Sequence, residues 1–171
     1  MAVFGQQDLQ QDLLGEWAER SGRRPAGCVS SDVDGLRFAF YGRTSTCRHQ
    51  HGVTSAAWQR DAAEHTIGGY GVVVAEYFDA GCSRRVPWAR RRSAAALLAA
   101  IEAEDRGFDA VVVGEYERAF TDDQFARLLP LFERCGVQVW LPEAGGRFDA
   151  ADPRHQALMT MLGAQSQREV L

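Results

Sequence analysis

Short apolar runs alternate with amphipathic helical stretches along most of this chain, and that alternation restricts the fold more than any other feature. Leu36–Tyr41, Gly71–Tyr77, Ala110–Val113 and Val137–Trp140 read as strands. Thr54–Ile67, Ser93–Ala103 and Asp122–Cys135 read as the helices between them, and Pro153–Leu171 as a final helix. Thr54 or Ser55 is the expected cap of the first helix, with Trp58, Ala62 and Ala63 turned to the core. Strands and helices in this order imply right-handed crossovers. The expected fold class is therefore α/β: a three-layer, mostly parallel sheet of about four to five strands with helices on both faces. In such sheets the working site lies at the carboxyl ends of the strands.

A chain of 171 residues suffices for one core of this kind. The first stretch stands apart. Leu9, Leu13, Leu14 and Trp17 recur at helical spacing, and Ser21-Gly22-Arg23-Arg24-Pro25 then reads as a stop signal. Residues 1–35 are expected to form a helical appendage and linker, either packed on the outside of the domain or bound to a partner. No apolar run approaches the roughly 20 residues needed to cross a bilayer. The N-terminus also lacks the basic-then-apolar order of a secretory signal, so a cytoplasmic protein without a membrane partner is expected.

Several chemistries drop out by composition. Cys28, Cys47, Cys82 and Cys135 form no C-x-x-C pair and are expected to be reduced thiols. His49 and His51 have no third ligand at suitable spacing, so no metal site is expected. The chain contains no lysine, which excludes a Gly-x-x-x-x-Gly-Lys nucleotide loop, and it has no Gly-x-Ser-x-Gly hydrolase elbow. A net charge of −4 argues against non-specific coating of nucleic acid. Every basic side chain other than histidine is arginine, whose fork matches phosphate oxygens.

Three segments that follow strands carry the candidate chemistry. In Tyr41-Gly42-Arg43-Thr44-Ser45-Thr46, strand alternation sends Arg43 and Ser45 to the same side. An arginine that grips a phosphate makes it a better target for a serine hydroxyl, although a serine here also suits a turn or cap. Between Ser83 and Arg92 lie Arg84, Arg85, Arg90, Arg91 and Arg92 with no acid among them. That run is either a solvated loop or, with Trp88 in its midst, a surface for nucleic acid. In Gly114–Thr121, Glu117 stands beside Arg118, where it either forms a surface ion pair or exchanges protons with a leaving oxygen.

Taken in order, Tyr41–Thr46, Gln59, Glu76-Tyr77-Phe78-Asp79 with Gly81 and Ser83, then Arg91 and Glu117-Arg118 resemble the catalytic domain of serine recombinases, the resolvase/invertase family. Pro87-Trp88-Ala89-Arg90-Arg91, Val113–Phe120, Val139–Glu143 and Leu162–Glu169 look most like the large serine recombinases of actinobacteria. The resemblance runs from Leu36 to the end and implies site-specific DNA recombination without a metal or nucleotide cofactor. Ser45 would match the nucleophile that becomes linked to the 5′-phosphate. Arg43, Arg91 and Arg118 would match the phosphate-binding arginines, and Gln59, Ser83 and Glu117 fall at supporting positions. Arg84, Arg85, Arg90 and Arg92 are the expected DNA contacts. The implied partners are double-stranded DNA and further copies of the chain, as a dimer to tetramer once the long helix is completed.

The chain departs from the family pattern in three places. Glu117 stands where many members have Asp, and Thr121 where many have a second Arg. The sequence also ends inside what would be the long C-terminal helix, so residues 36–171 are expected to be a truncated catalytic domain, inactive alone if the rest is needed. A truncated, non-catalytic relative acting as an interaction or regulatory module is the alternative, and a small phosphate-ester hydrolase is a third reading.

Overall fold

A computed structural model describes residues 35–45 and 49–168. The appendage expected over residues 1–35 lies outside the described residues apart from Gly35, as do Thr46 and residues 169–171. The elements follow the alternating order: β1 (Leu36–Thr44), α1 (His49–Thr66), β2 (Gly71–Ala80), α2 (Arg92–Glu102) and β3 (Ala110–Val113). A single turn, α3 (Tyr116–Ala119), precedes α4 (Gln124–Arg134), β4 (Gln138–Leu141), β5 (Gly146–Arg147) and α5 (Pro153–Arg168). The sheet has the order β2-β1-β3-β4-β5, parallel throughout except for the antiparallel β4–β5 pair. No described helix is long and apolar enough to cross a membrane.

Alternation along β1 and β3 divides the core into two layers. Phe38, Phe40, Ala110, Val112 and Trp140 face α1, where Ala63 and, just past the helix end, Ile67 cover them. Ala39, Tyr41, Val111, Val113 and Val139 face the other way, onto Leu97 and Ile101 of α2 and Phe125 and Phe132 of α4. Each of these large apolar side chains contributes about 1.5–3 kcal/mol on burial, so the central strands are fixed from both faces.

Three differences from the expected elements bear on the site. The first two strands run on to Thr44 and Ala80, because β1 and β2 stay paired to the register Thr44↔Ala80. They therefore carry Arg43 and Asp79 while still in the sheet. Helix α1 begins at His49, so Thr54 and Ser55 are helical rather than capping. Its inward stripe is Gln59 and Ala63, continued by Ile67 just past the helix end, at i, i+4 and i+8. Trp58 lies one residue off that stripe and is 56% exposed, contrary to the core position expected for it.

Candidate active site

The carboxyl ends of β1, β2 and β3 open onto a cavity of about 360 Å³ lined by Arg43, Ser45, Ser83, Arg84, Arg85, Glu115, Glu117 and Arg118. Each of the three segments singled out by the sequence contributes to it. Ser45 is exposed at the rim, whereas Arg43, two residues before it, is 4% exposed.

Gln59 fixes the backbone beneath Ser45. β3 ends at Val113, level with Tyr41, and Gly114 still donates its N–H to the Tyr41 carbonyl at 2.9 Å. Beyond that point the same edge of β1 has no strand to pair with. The fully buried Gln59 takes over: its Oε1 accepts from Arg43 N–H at 3.1 Å and its Nε2 donates to the Arg43 carbonyl at 3.1 Å. Nε2 also lies 3.2 Å from Ser55 Oγ. One side-chain amide thus replaces a peptide unit of the missing neighbour. Gly114 permits this approach, because a Cβ there would lie 2.7 Å from the Gln59 Cβ.

Arg43 itself donates through Nε to the Arg118 carbonyl and through Nη1 to the Cys82 carbonyl, tying the three loops together. Burial, and next the charge of Arg91, lower its pKa.

Arg91 lies behind the cavity and does not line it. At 1% exposure its guanidinium spends its donors internally. Nε reaches the Val86 carbonyl at 2.7 Å. Nη1 reaches Tyr41 Oη at 3.1 Å and the Ala119 carbonyl at 2.6 Å, and Nη2 the Arg84 carbonyl at 2.6 Å and Gln124 Oε1 at 3.0 Å. A guanidinium has five N–H groups, and five acceptors meet them. Tyr41 Oη passes a hydrogen bond on to Asp79 Oδ2 at 3.0 Å. Burial above all raises the Tyr41 pKa, which keeps the phenol neutral and able to donate. Asp79 also accepts from the N–H groups of Ser93 and Ala94, at 2.8 and 3.0 Å, at the start of α2. Sequence reasoning quoted Asp79 only as part of the family likeness. Its signal is an acid at the buried end of a strand, immediately before a glycine turn at Gly81 with φ 68°.

In the third loop, Arg118 pairs with Glu115 rather than Glu117, through Nε and Oε2 at i,i+3 spacing. Glu117 lines the cavity, and its carbonyl accepts from Arg84 Nη1 at 3.1 Å. Glu143, after β4, accepts the Tyr116 N–H at 2.7 Å and so holds the start of α3, while its other oxygen is buried without a partner among the described residues. Burial chiefly raises the Glu143 pKa, and Glu115 and Glu117 add to the rise. Tyr116, buried beside Glu143, is pushed up to about 12.

Aromatic rings weld these loops from below. Trp88 lies 4.2 Å from Tyr41 and stacks on Phe120 at 5.0 Å, and Phe120 in turn meets Tyr116 and Phe125. Trp88 is 2% exposed and its Nε1 donates to the Ala119 carbonyl at 3.0 Å, so it is a core residue and not the nucleic-acid-facing aromatic its setting suggested. Arg90 and Arg92 are exposed outside the cavity. A larger neighbouring cavity of about 660 Å³ has Trp88, Leu98, Leu128 and Asp122 among its lining and no serine or cysteine nucleophile; Arg85 borders both. Among the described residues no group of three or more His, Cys, Asp and Glu side chains is placed to hold a metal ion. A hydroxyl beside a concentration of guanidinium groups suits binding of a phosphoryl group and stabilisation of its equatorial charge.

Residues 38–170 match the family described as Resolvase, N terminal domain. Among solved structures, the N-terminal catalytic domain of TP901-1 integrase is similar with a TM-score of 0.58 at 23% identity, over 78% of this chain and 96% of that one. A resolvase family site-specific recombinase from Streptococcus pneumoniae is similar with a TM-score of 0.55 at 20% identity, over 78% and 89% of the two chains. At these identities the structural likeness speaks for the fold. No curated protein matches the sequence.

Proposed function

This chain belongs to the resolvase family of serine recombinases, as its catalytic domain, and from that premise we propose that it cuts and rejoins duplex DNA through a phosphoserine at Ser45. The observation that carries the reading is the shared cavity: Ser45 from the end of β1 lines it together with Arg43, Ser83 and Arg118. Ser45 Oγ attacks the scissile phosphorus and loses its proton, with Glu117 as the carboxylate in the cavity that exchanges it. The bond from phosphorus to the 3′ oxygen breaks, that oxygen takes up a proton, and the 5′-phosphate remains esterified to Ser45. Attack by a 3′-hydroxyl on the ester reverses the step and reseals the strand, so the ester retains the energy for rejoining.

The remaining candidates divide by position. Arg43 and Arg118 stabilise the charge on the phosphoryl oxygens, Arg118 from a partly exposed side chain. Gln59 and Arg91 act through the backbone they hold. Ser83 and Arg85 line the cavity, and Arg84, Arg90 and Arg92 steer the DNA backbone. The catalytic unit is residues 36–171, with 1–35 an appendage to it, and its partners are DNA and further copies of the chain.

The test uses the full chain, a pool of nicked, end-labelled duplexes of randomised sequence, and detergent-resistant adducts as the readout. An adduct in the parent that is lost in Ser45→Ala supports the assignment. An adduct formed equally by Ser45→Ala refutes it, and no adduct from the parent favours the non-catalytic module instead.

A further inference from the structure

We propose that Arg85 is the arginine that contacts the scissile phosphate directly, a catalytic residue delivered by the loop between β2 and α2; the assignment rests on the phosphoryl-transfer reading above. Four arginines line the cavity with Ser45, and the protein itself engages three of them. Arg43 is 4% exposed and donates to the carbonyls of Arg118 and Cys82. Arg84 donates to the Glu117 carbonyl at 3.1 Å. Arg118 donates to the Glu115 carboxylate. The Arg85 side chain is exposed and makes no hydrogen bond or ion pair among the described residues.

The backbone that carries Arg85 is nevertheless fixed. Its N–H reaches Ser83 Oγ at 3.3 Å, and the carbonyls of both neighbours, Arg84 and Val86, accept from Arg91 at 2.6 and 2.7 Å. Buried Arg91 thus holds the loop from behind and leaves the next guanidinium facing the cavity. A planar fork that spends none of its donors on the protein can take two phosphate oxygens at once and is free to turn to meet them, whereas the other three are each tethered by at least one internal hydrogen bond. As the phosphorus becomes five-coordinate its equatorial oxygens gain charge, which a guanidinium in contact stabilises more than one acting only through its field.

Two measurements on the full chain test this. The first follows arginine Nε–H signals by NMR during titration with dimethyl phosphate, a minimal phosphodiester. Saturable movement of the Arg85 signal with a still Arg91 signal is expected, together with at least about tenfold weaker binding in Arg85→Ala. An unmoved Arg85 signal, or equal binding by Arg85→Ala, overturns the proposal. The second compares adduct rates at saturating nicked DNA. Arg85→Ala is expected to be about 100-fold slower, the usual loss for one oxyanion donor, with Arg85→Lys recovering part of the rate. If Ser45→Ala abolishes the adduct while Arg85→Ala matches the parent, the proposal fails and the phosphoserine reading stands. If the parent itself forms no adduct, the phosphoserine reading fails and the dimethyl phosphate titration alone decides Arg85.

Discussion

Replacing Gln59 by methionine removes both hydrogen bonds that hold Arg43 where β3 no longer reaches β1. Methionine matches the volume and flexibility of glutamine, so packing in the fully buried slot is largely kept. The Arg43 N–H and carbonyl then lack partners, at about 1–3 kcal/mol each. Because the cavity lies close by, water meets part of that need, and a loss of about 2–4 kcal/mol is expected. For a chain of this size that lowers the melting temperature by roughly 5–15 °C. Adduct formation, measured well below that temperature, is expected to fall by about 10–100-fold, since Ser45 is two residues from the released anchor. Gln59→Glu supplies the sharper comparison. Its carboxylic acid form still accepts from Arg43 N–H and donates to the Arg43 carbonyl, whereas its carboxylate repels that carbonyl. Burial raises the introduced group's folded pKa above its unfolded value of about 4.3. Parental stability is therefore expected below that pH and is lost as pH rises through the folded pKa. A methionine variant that melts with the parent and cleaves at its rate, or a glutamate variant indifferent to pH, refutes the role given to Gln59.

Arg91→Met strands five acceptors around a slot that is 1% exposed. Chemical denaturation should show a loss of about 3–5 kcal/mol, and Arg91→Lys should recover little because an ammonium has three donors for those five groups. Arg90→Ala, next to it but exposed, should change stability by less than about 0.5 kcal/mol. Glu143→Gln should raise the melting temperature at neutral pH. The parent carboxyl has a raised folded pKa, so its ionisation costs stability as pH climbs from about 4.3 through that pKa, and the advantage of the amide should vanish below that range.

The alternation of apolar runs with amphipathic segments made the parallel sheet legible, because burial on both faces leaves its mark on the central strands β1 and β3. The convergence of the three candidate segments was legible because each follows a strand, and parallel strands end together. Ser45, Arg43, Ser83, Glu117 and Arg118 meet in one cavity. Individual pairings were harder to read. Arg91 sits among five arginines of like composition, and only the carbonyls folded around it mark it as internal. Trp88 is core for a similar reason, since its partners Tyr41 and Phe120 come from distant segments. The partnership of Arg118 with Glu115 rather than Glu117 depends on the single turn of α3, too short to show a periodicity. Gln59 was visible as a family position, but its task depends on where β3 stops, which no local pattern reveals.

The most direct measurement is the chemical identity of the protein–DNA linkage formed with nicked duplex. Proteolysis and mass spectrometry of the adduct should return the peptide containing Ser45 carrying a nucleotide through its 5′-phosphate, and the other broken end should prime a polymerase from a free 3′-hydroxyl. A nucleotide on any other residue, or a bond to a 3′-phosphate with a free 5′-hydroxyl opposite, would contradict the account.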